Sequence, residues 1–273
     1  MVASAPGDIV IRRCLTIATS DSGGGAGVQA DLKAFARLGC HGMSAVVALT
    51  AQNTTSVTAV HEVPPDFIRA QLDAVYDDIG VDAAKTGMLF SAAIIQTVAD
   101  FLANHRVPLV VDPVMVAASG AKLLRDDAVS VLVERLLPLA TVVTPNLHEA
   151  CVLAGVPYSE EASREDLAEA IHELGAPAVI VTGGHGSEAV DWLFDGDRHI
   201  PIAVERHGDD ATHGAGCTHS ATLAALLARG ETLEDAARGA ARLALEAVRD
   251  GLTEIGAGSG PVDVFGFAPV RAG

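Results

Sequence analysis

The order of apolar and amphipathic segments limits what this chain can fold into more than any other feature of its sequence. Short apolar runs lie at 10–18, 44–49, 107–111, 140–143 and 178–181. Between them, apolar residues recur at the spacing of one helix face. Alternation of this kind is typical of βα units, so we predict an α/β fold in which a mostly parallel sheet lies between helices.

The helix predictions use the same spacing together with residues that start or stop helices. One helix follows the 20–27 loop and stops at Gly39. A second follows Pro64 and Pro65, because a proline pair can start a helix but does not sit inside one. Further helices are predicted at 92–103, 217–229 and 233–249.

The last third of the chain departs from pure βα alternation. Two apolar segments, 190–194 and 198–204, flank residues 195–197, whose Asp-Gly pair is typical of a β-hairpin turn. We therefore predict a mixed sheet with antiparallel strands at this end. Thr232, with Asp235 three residues later, resembles a capping box for the last helix.

Composition bounds the domain organisation and the partners. No Pro/Ser-rich linker, low-complexity tract or repeat divides the 273 residues, so we predict a single domain over 1–273 with flexible termini at 1–9 and 268–273. The chain carries 18 Lys and Arg against 35 Asp and Glu, a net charge of −17. This argues against nucleic acid or an anionic membrane as the main partner. An anionic substrate must then find positive charge locally.

The cysteines and the N-terminus point to one compartment. The four cysteines are scattered and form no CxxC pair, which favours a reducing environment over a disulfide framework or a zinc site. The N-terminal residues do not resemble a signal peptide, and no apolar run reaches membrane-spanning length. We expect a cytoplasmic protein.

Polar and glycine-rich residues follow the predicted strands where these end. Asp112 follows one strand, residues 144–146 (Thr-Pro-Asn) follow the next, and residues 182–185 (Thr-Gly-Gly-His) follow a third. In open α/β sheets the ligand crevice lies beyond the carboxyl ends of the strands. This edge is therefore the predicted binding site.

The segment 212–218, Thr-His-Gly-Ala-Gly-Cys-Thr, places small residues and a cysteine where a long apolar helix begins. Backbone N–H groups of such a turn are unpaired, and the helix dipole adds roughly half a positive charge, which suits a phosphoryl group. A helix N-terminus also lowers a thiol pKa, so Cys217 is a candidate thiolate. A close-packing turn with a buried cysteine remains an alternative interpretation.

A second glycine-rich segment, 20–27 (Ser-Asp-Ser-Gly-Gly-Gly-Ala-Gly), follows the first strand. Its glycines allow the backbone to approach a ligand closely. It lacks the spacing and the Gly-Lys-Ser/Thr ending of a Walker loop, and it is a poor dinucleotide fingerprint. The alternative is a flexible glycine turn.

Short motifs occur in a specific order along nearly the whole chain. They lie at 21–27 with 29–33, 50–54, 85–89, 111–115, 144–150, 183–185, 213–218 and 258–262. Each is modest alone, but their joint order resembles the hydroxymethylpyrimidine/phosphomethylpyrimidine kinases of thiamine biosynthesis. The resemblance implies a ribokinase-like three-layer sandwich, with a central, mostly parallel sheet flanked by helices.

The resemblance also implies which residues hold a pyrimidine alcohol: Thr19, Asp21, Ala26, Gln52, Met88 and Val114. Gln52 offers a donor and an acceptor to the ring nitrogen and amino edge. Met88 and Val114 supply apolar faces for a flat ring. Judged without the family, these two residues are equally well explained as ordinary core.

On the phosphate side, the resemblance implies that Cys217 removes the proton of the substrate hydroxyl. The phosphoryl group would be stabilised by the rest of that loop, Gly214, Ala215 and Gly216. ATP would contact Asn146, Thr182, Gly184, Thr212 and His213.

A magnesium ion is implied at Glu149, with Asp112 as a possible second ligand. Mg²⁺ keeps several waters and takes few protein ligands, so this pair is chemically adequate. Two alternatives stay open. Glu149 is also explained as a solvated carboxylate that favours a helix start, and Asp112 as a cap for a turn.

The chain departs from the family pattern at three places. Thr182 stands where a lysine precedes Gly-Gly-His, residues 118–121 (Ala-Ser-Gly-Ala) replace Lys-Ser-Gly-Asp, and Thr19 replaces a glycine near the pyrimidine. A charge-assisted contact contributes roughly 1.5 to 3 kcal/mol, so nucleotide affinity is expected to fall by about tenfold or more. Lys85, Lys122 and Arg125 are candidates to replace the missing cations.

We therefore predict an ATP- and Mg²⁺-dependent kinase for 4-amino-5-hydroxymethyl-2-methylpyrimidine and its monophosphate. A kinase for pyridoxal or another hydroxymethyl heterocycle is the alternative enzyme. A degenerate kinase kept as a ligand-binding protein is the alternative outside enzymes. Because members of the family are commonly dimeric, a homodimer is expected.

Overall fold

The computed structural model describes residues 10–115, 124, 126–183, 190–204 and 211–267. Nine strands lie in this part of the chain: β1 (Arg13–Asp21), β2 (His41–Gln52), β3 (Val57–Glu62), β4 (Ala83–Thr86), β5 (Leu109–Val111), β6 (Val142–Val143), β7 (Val179–Val181), β8 (Val190–Phe194) and β9 (His199–Ala203). They form one sheet in the order β3-β2-β1-β4-β5-β6-β7-β8-β9.

The helices of the described residues are α1 (Gly27–Arg37), α2 (Pro65–Ala74), α3 (Ala92–Leu102), α4 (Asp126–Val131), α5 (Leu147–Ala154), α6 (Arg164–Glu173), α7 (Ala215–Ala228) and α8 (Leu233–Arg249). Short π-helical turns, Val75–Ile79 and Leu132–Leu136, continue α2 and α4. Within these ranges, no helix combines the length and the apolar character that crossing a lipid bilayer requires.

The pairing of the strands confirms the predicted mixed sheet. β2, β1, β4, β5, β6 and β7 are parallel to one another. β3 pairs antiparallel with β2, and β8 and β9 continue the other edge as an antiparallel hairpin. All six parallel strands therefore end at one edge of the sheet.

Two apolar cores, one on each face of the sheet, confirm the three-layer sandwich. Leu15 and Ile17 of β1 pack on one side with Ile68 and Phe101 from α2 and α3. Cys14, the neighbour of Leu15, faces the other side, where α1, α7 and α8 pack. Successive strand residues point to opposite faces, so a strand buried on both faces is apolar throughout.

The element boundaries differ from the sequence prediction where pairing outweighs hydropathy. β1 starts at Arg13, leaves residues 10–12 exposed, and continues to Asp21, which pairs with Thr50. The prediction contained neither β3, which is largely exposed, nor β4, which is short and contains a lysine. Thr232 caps α8 as predicted, since its side chain accepts from the amide of Asp235.

Candidate active site

The carboxyl ends of the parallel strands bring the predicted site residues to one edge. Asp21 and Gln52 end β1 and β2, while Asp112 and Thr144 directly follow β5 and β6. α7 packs against this edge: the Oγ of Ser220 donates to Asp112 Oδ2 at 2.8 Å. Residues far apart in sequence are thus neighbours around the first turns of α7.

The loop before α7 is shaped for close approach. Gly214 is the N-cap and has a φ of 89°, and a Cβ there would overlap the carbonyl oxygen of Gly25. Only glycine accommodates both constraints. The amide of Ala215 donates to the Thr212 carbonyl at 3.0 Å, so this predicted phosphate donor is used inside the turn. The next two amides of the first helical turn, at Gly216 and Cys217, are the ones that suit an anion.

Cys217 is half-buried in that first turn. Burial raises the pKa of its thiol to about 12. The ammonium of Lys85 opposes the shift, whereas the carboxylates of Asp31 and Asp112 add to it. The predicted lowering of the thiol pKa is therefore wrong for the unliganded chain. Loss of the water that would solvate a thiolate outweighs the helix dipole.

Lys85 forms a fully buried ion pair beneath the site. Its Nζ lies 2.8 Å from Asp31 Oδ1 and 3.7 Å from Asp112 Oδ2. The Oγ1 of Thr16 donates to the other oxygen of Asp31 at 2.6 Å. Burial alone would lower the pKa of Lys85, but its acidic neighbours raise it above the usual range. Held in this way, Lys85 is not free to replace the missing phosphate-side lysines; Lys122 and Arg125 lie outside the described residues.

Asn146 and Glu149 form a complete capping box at the start of α5. Asn146 Oδ1 accepts from the amide of Glu149 at 2.9 Å, and Glu149 Oε2 accepts from the amide of Asn146 at 3.0 Å. Glu149 Oε1 also accepts from the amide of Met115 at 3.2 Å. The alternative of a solvated carboxylate is wrong, because only 4% of Glu149 is exposed. Burial and the nearby Asp112 carboxylate raise the pKa of Glu149 to about 8.

This acidic pair fits a hydrated divalent cation. Asp112 and Glu149 are both buried, and their mutual repulsion would be relieved by positive charge. The hydroxyl of Thr144, which directly follows β6, is buried without a hydrogen-bond partner among the described residues. The described residues hold no group of three or more His, Cys, Asp or Glu suited to a metal. Mg²⁺ would accordingly keep most of its waters.

The residues predicted to hold the pyrimidine lie at or after the ends of β1, β2, β4 and β5. The Oγ1 of Thr19 donates to the carbonyl oxygen of Met88 at 3.0 Å, which joins two of them. Ala26 is the N-cap of α1, and Gln52 Oε1 accepts from Thr50 Oγ1 at 3.1 Å. Met88 is buried and Val114 half-buried. Thr19 therefore adds bulk here, while its hydroxyl proton is already used.

Asp21 and His213 bind each other rather than pointing into open space. Their Oδ2 and Nε2 atoms lie 3.0 Å apart. The Asp21 carboxylate also accepts from the amides of Gly23, Gly25 and Ala26. Burial would raise the pKa of Asp21, but these hydrogen bonds together lower it. This internal pair is the contact that the structure shows between Asp21 and His213, and the contacts of these residues with the pyrimidine and with ATP stay predictions.

The predicted nucleotide residues are only partly described. Thr182 donates its amide to the carbonyl of Pro145 at 2.9 Å, which joins the ends of β6 and β7. Thr212 donates its amide to Ser259 Oγ at 3.2 Å. Gly184 lies outside the described residues, as do the departures at 118–121.

The sequence analysis missed a cavity and a set of buried partners. A cavity of about 270 Å³ lies beside the Asp21 loop and is lined by Gln52, Asn53, Thr54, Thr55, His213, Gly258 and Ser259. Two of the quoted motifs, 50–54 and 258–262, were a signal for it. The quoted motif at 29–33 contains Asp31 but did not indicate its role, and no local signal marked Ser220, because the importance of both residues comes from partners distant in sequence.

Comparisons with known proteins agree with this geometry. The family model of phosphomethylpyrimidine kinase matches residues 21–263. The hydroxymethylpyrimidine/phosphomethylpyrimidine kinase of Rhizobium meliloti is 50% identical over 256 residues, covering 92% of this chain and 96% of that protein. The thiamine biosynthesis bifunctional protein of Geobacter sulfurreducens is 49% identical over 91% of this chain, which spans about half (51%) of that longer relative.

A solved structure shows the same fold with a nucleotide. The pyridoxal kinase from Staphylococcus aureus in complex with ADP has a TM-score of 0.85 and 35% identity, covering 93% of this chain and 94% of that one. Sequence identity is thus higher to the pyrimidine kinase from Rhizobium meliloti than to this pyridoxal kinase, although the folds agree closely.

Proposed function

This chain belongs to the phosphomethylpyrimidine kinase family, and we propose that it transfers phosphoryl groups from ATP to 4-amino-5-hydroxymethyl-2-methylpyrimidine and then to its monophosphate. It is a phosphotransferase of the ribokinase-like fold. The pyrimidine diphosphate formed in the second step would serve thiamine biosynthesis.

One observation carries the proposal: α7 starts at the strand-end edge with a glycine N-cap and a thiol in the same turn. The N-cap Gly214 lies against Gly25 of the 20–27 loop, which carries the proposed pyrimidine residue Ala26. The amides of Gly216 and Cys217 would bind the transferred phosphoryl group, and the Cys217 thiol is near the amide of Gly27. Donors placed in advance at developing charge are the main requirement of phosphoryl transfer.

Cys217 would orient the substrate hydroxyl and take its proton. Because the thiol pKa is about 12 in the unliganded chain, only a small fraction is thiolate at neutral pH. A loose transition state needs little activation of the nucleophile, so positioning can supply most of the rate. The thiolate form of Cys217 would take the proton of the hydroxyl as the hydroxyl oxygen bonds to the γ-phosphorus of ATP. The bond from that phosphorus to the bridging oxygen would break at the same time, and ADP would leave with its electron pair.

Mg²⁺ would be held by Asp112 and Glu149, mostly through water. When bound, the ion would neutralise charge on the ATP phosphates. On this chain's side, the positive charge would keep Glu149 ionised despite its burial. Ser220 would hold Asp112 in place through its 2.8 Å hydrogen bond.

The test is ATP consumption by the purified protein with Mg²⁺, with the pyrimidine alcohol, its monophosphate and pyridoxal offered separately. Turnover of both pyrimidines supports the two-step kinase and makes the missing lysines dispensable. No turnover of either pyrimidine would refute the proposal.

Pyridoxal is the second candidate substrate, favoured by the TM-score of 0.85 to a pyridoxal kinase. Thr19 bears on this choice, since it stands beside Met88 in the proposed ring pocket. Turnover of pyridoxal alone would move the assignment to that substrate. A degenerate binding protein has weaker support, because a pure binder has little use for the thiol of Cys217 and the buried Glu149.

Two further expectations accompany the kinase proposal. We expect a homodimer, which sedimentation velocity would test directly. A cytoplasmic location remains a prediction from the cysteine pattern, and cell fractionation would test it.

A further inference from the structure

Two loops from opposite ends of the chain are joined at the site by Asp21 and His213, which are 192 residues apart in sequence. Asp21 is 3% and His213 7% exposed, so the pair is shielded from water. A hydrogen bond between buried groups with an ionised acceptor is strong, and breaking one side leaves the other unsatisfied.

Asp21 uses this pair to shape its own loop. Oδ1 accepts from the amide of Gly23 at 2.7 Å, while Oδ2 accepts from the amides of Gly25 and Ala26 at 3.0 and 2.9 Å. His213 adds the fourth hydrogen bond, again to Oδ2. The carboxylate therefore fixes the backbone that leads into α1 and ties it to the loop before α7.

His213 is held as firmly from its own side. Its amide donates to the Gly260 carbonyl at 3.2 Å, and its carbonyl accepts from the amide of Val262 at 3.1 Å. A Cβ added at Gly25 would overlap the imidazole, so ring and loop are in direct contact. A shift of the 20–27 loop would therefore displace the His213 ring and, with it, the loop before α7.

We propose that Asp21 and His213 are positioning residues. They set the spacing between the 20–27 loop, which carries the proposed pyrimidine residue Ala26, and the first turn of α7. This inference rests on the proposed kinase function. The parts that they join are Ala26 and Gly27 on one side and Gly214 to Cys217 on the other. Reacting atoms must lie about 3 to 3.5 Å apart for transfer, and a displacement of about 1 Å can cost roughly 100-fold in rate.

The test compares two nearly isosteric replacements, His213→Gln and His213→Met. Gln can donate to Asp21 Oδ2, whereas Met fills the same space without a donor. We expect kcat to fall by roughly 10- to 100-fold in the Met variant, whereas kcat of the Gln variant should be at least about fivefold higher than that of the Met variant. Equal kcat in both variants would overturn the proposal.

A matched control is His199→Met. His199 Nε2 lies 2.9 Å from Glu169 Oε1, the same type of pair on the opposite, exposed edge of the sheet. This variant should leave kcat within about twofold of wild type, because a mispositioned loop is the only proposed cause of lost rate. A loss in the control as large as that in His213→Met would also overturn the proposal.

Amide hydrogen exchange supplies a readout that does not depend on turnover. In His213→Met, the amides of Gly23, Gly25 and Ala26 should exchange at least about tenfold faster, while the Gln variant retains protection. Unchanged exchange at these amides in the Met variant would refute the proposed positioning role of Asp21 and His213, even if the substrate were misassigned. Absent turnover in wild type with the expected exchange pattern would instead refute only the kinase function.

Discussion

Asp21 and Glu149 are two buried carboxylates at the same edge of the sheet, and their pKa values are shifted in opposite directions. Both accept backbone amides. Asp21 also has the His213 ring, and its pKa lies below the usual range despite burial. Glu149 faces burial and the Asp112 carboxylate, so its pKa rises to about 8. The proposed pyrimidine side is therefore electrostatically satisfied within the chain, whereas an ionised Glu149 on the proposed phosphate side would be stabilised by a cation.

The largest expected effect comes from Cys217, which lies between the proposed pyrimidine residues and the proposed phosphate residues. Cys217→Ala should lower kcat by roughly 10²- to 10⁴-fold, the usual contribution of a proton acceptor. Pyrimidine binding, measured by calorimetry, should remain within a few fold. A near-normal rate in this variant would remove the thiol from the mechanism. Cys151→Ala, which alters a buried cysteine that packs in the apolar core, is the control.

Glu149→Gln tests whether the phosphate side depends on an external cation. We expect the Mg²⁺ concentration for half-maximal rate to rise by roughly 10- to 100-fold, as when a metal site loses a supporting group. Pyrimidine affinity should be unchanged, because Gln keeps a side-chain oxygen that can accept from the amide of Met115, next to the proposed pyrimidine residue Val114. Titration of the rate with Mg²⁺ measures the effect, with the exposed Glu169→Gln as the control. An unchanged Mg²⁺ requirement would exclude Glu149 as a ligand.

Asp21→Asn tests whether the ionised carboxylate of Asp21 stabilises its loop. The readout is the pH dependence of the free energy of unfolding. A carboxyl with a lowered folded pKa contributes stability above its unfolded pKa and loses it as pH falls through the folded value. The variant should be about 2 kcal/mol less stable at pH 7, and the gap to wild type should shrink below about pH 4. Urea unfolding at both pH values measures this. A gap independent of pH would mean that the ionised form of Asp21 is not what stabilises the loop.

The smallest expected effect is a gain in ATP affinity. Thr182→Lys would restore a cation at the end of β7, and KM for ATP should fall by about tenfold. Thr182→Met, of similar length but uncharged, should leave KM unchanged. If the Lys variant binds ATP no better, then backbone amides and Mg²⁺ already satisfy the phosphates.

Much of the fold was predictable because its signals are local. Apolar periodicity located five of the strands in the parallel part of the sheet, and the hairpin at 190–204 followed from its Asp-Gly turn. β4 could not be found in this way, since its buried lysine contradicts hydropathy and is tolerated through Asp31 and Asp112. β3 is equally hidden, because it is largely exposed and stabilised by pairing with β2.

The sequence by itself determined where strands end, helices start and glycine turns lie, because these features are encoded by neighbouring residues. Asp112 and Cys217 were candidates on that basis, whereas Glu149 was a candidate through the resemblance to the kinase family. Only the tertiary structure decided their electrostatic states. Burial raised the pKa of Cys217, although the helix dipole favours a lower value. Asp21 forms a hydrogen bond with His213, which is 192 residues away in the sequence. Solvation and long-range contacts depend on how distant segments pack, which local patterns do not contain.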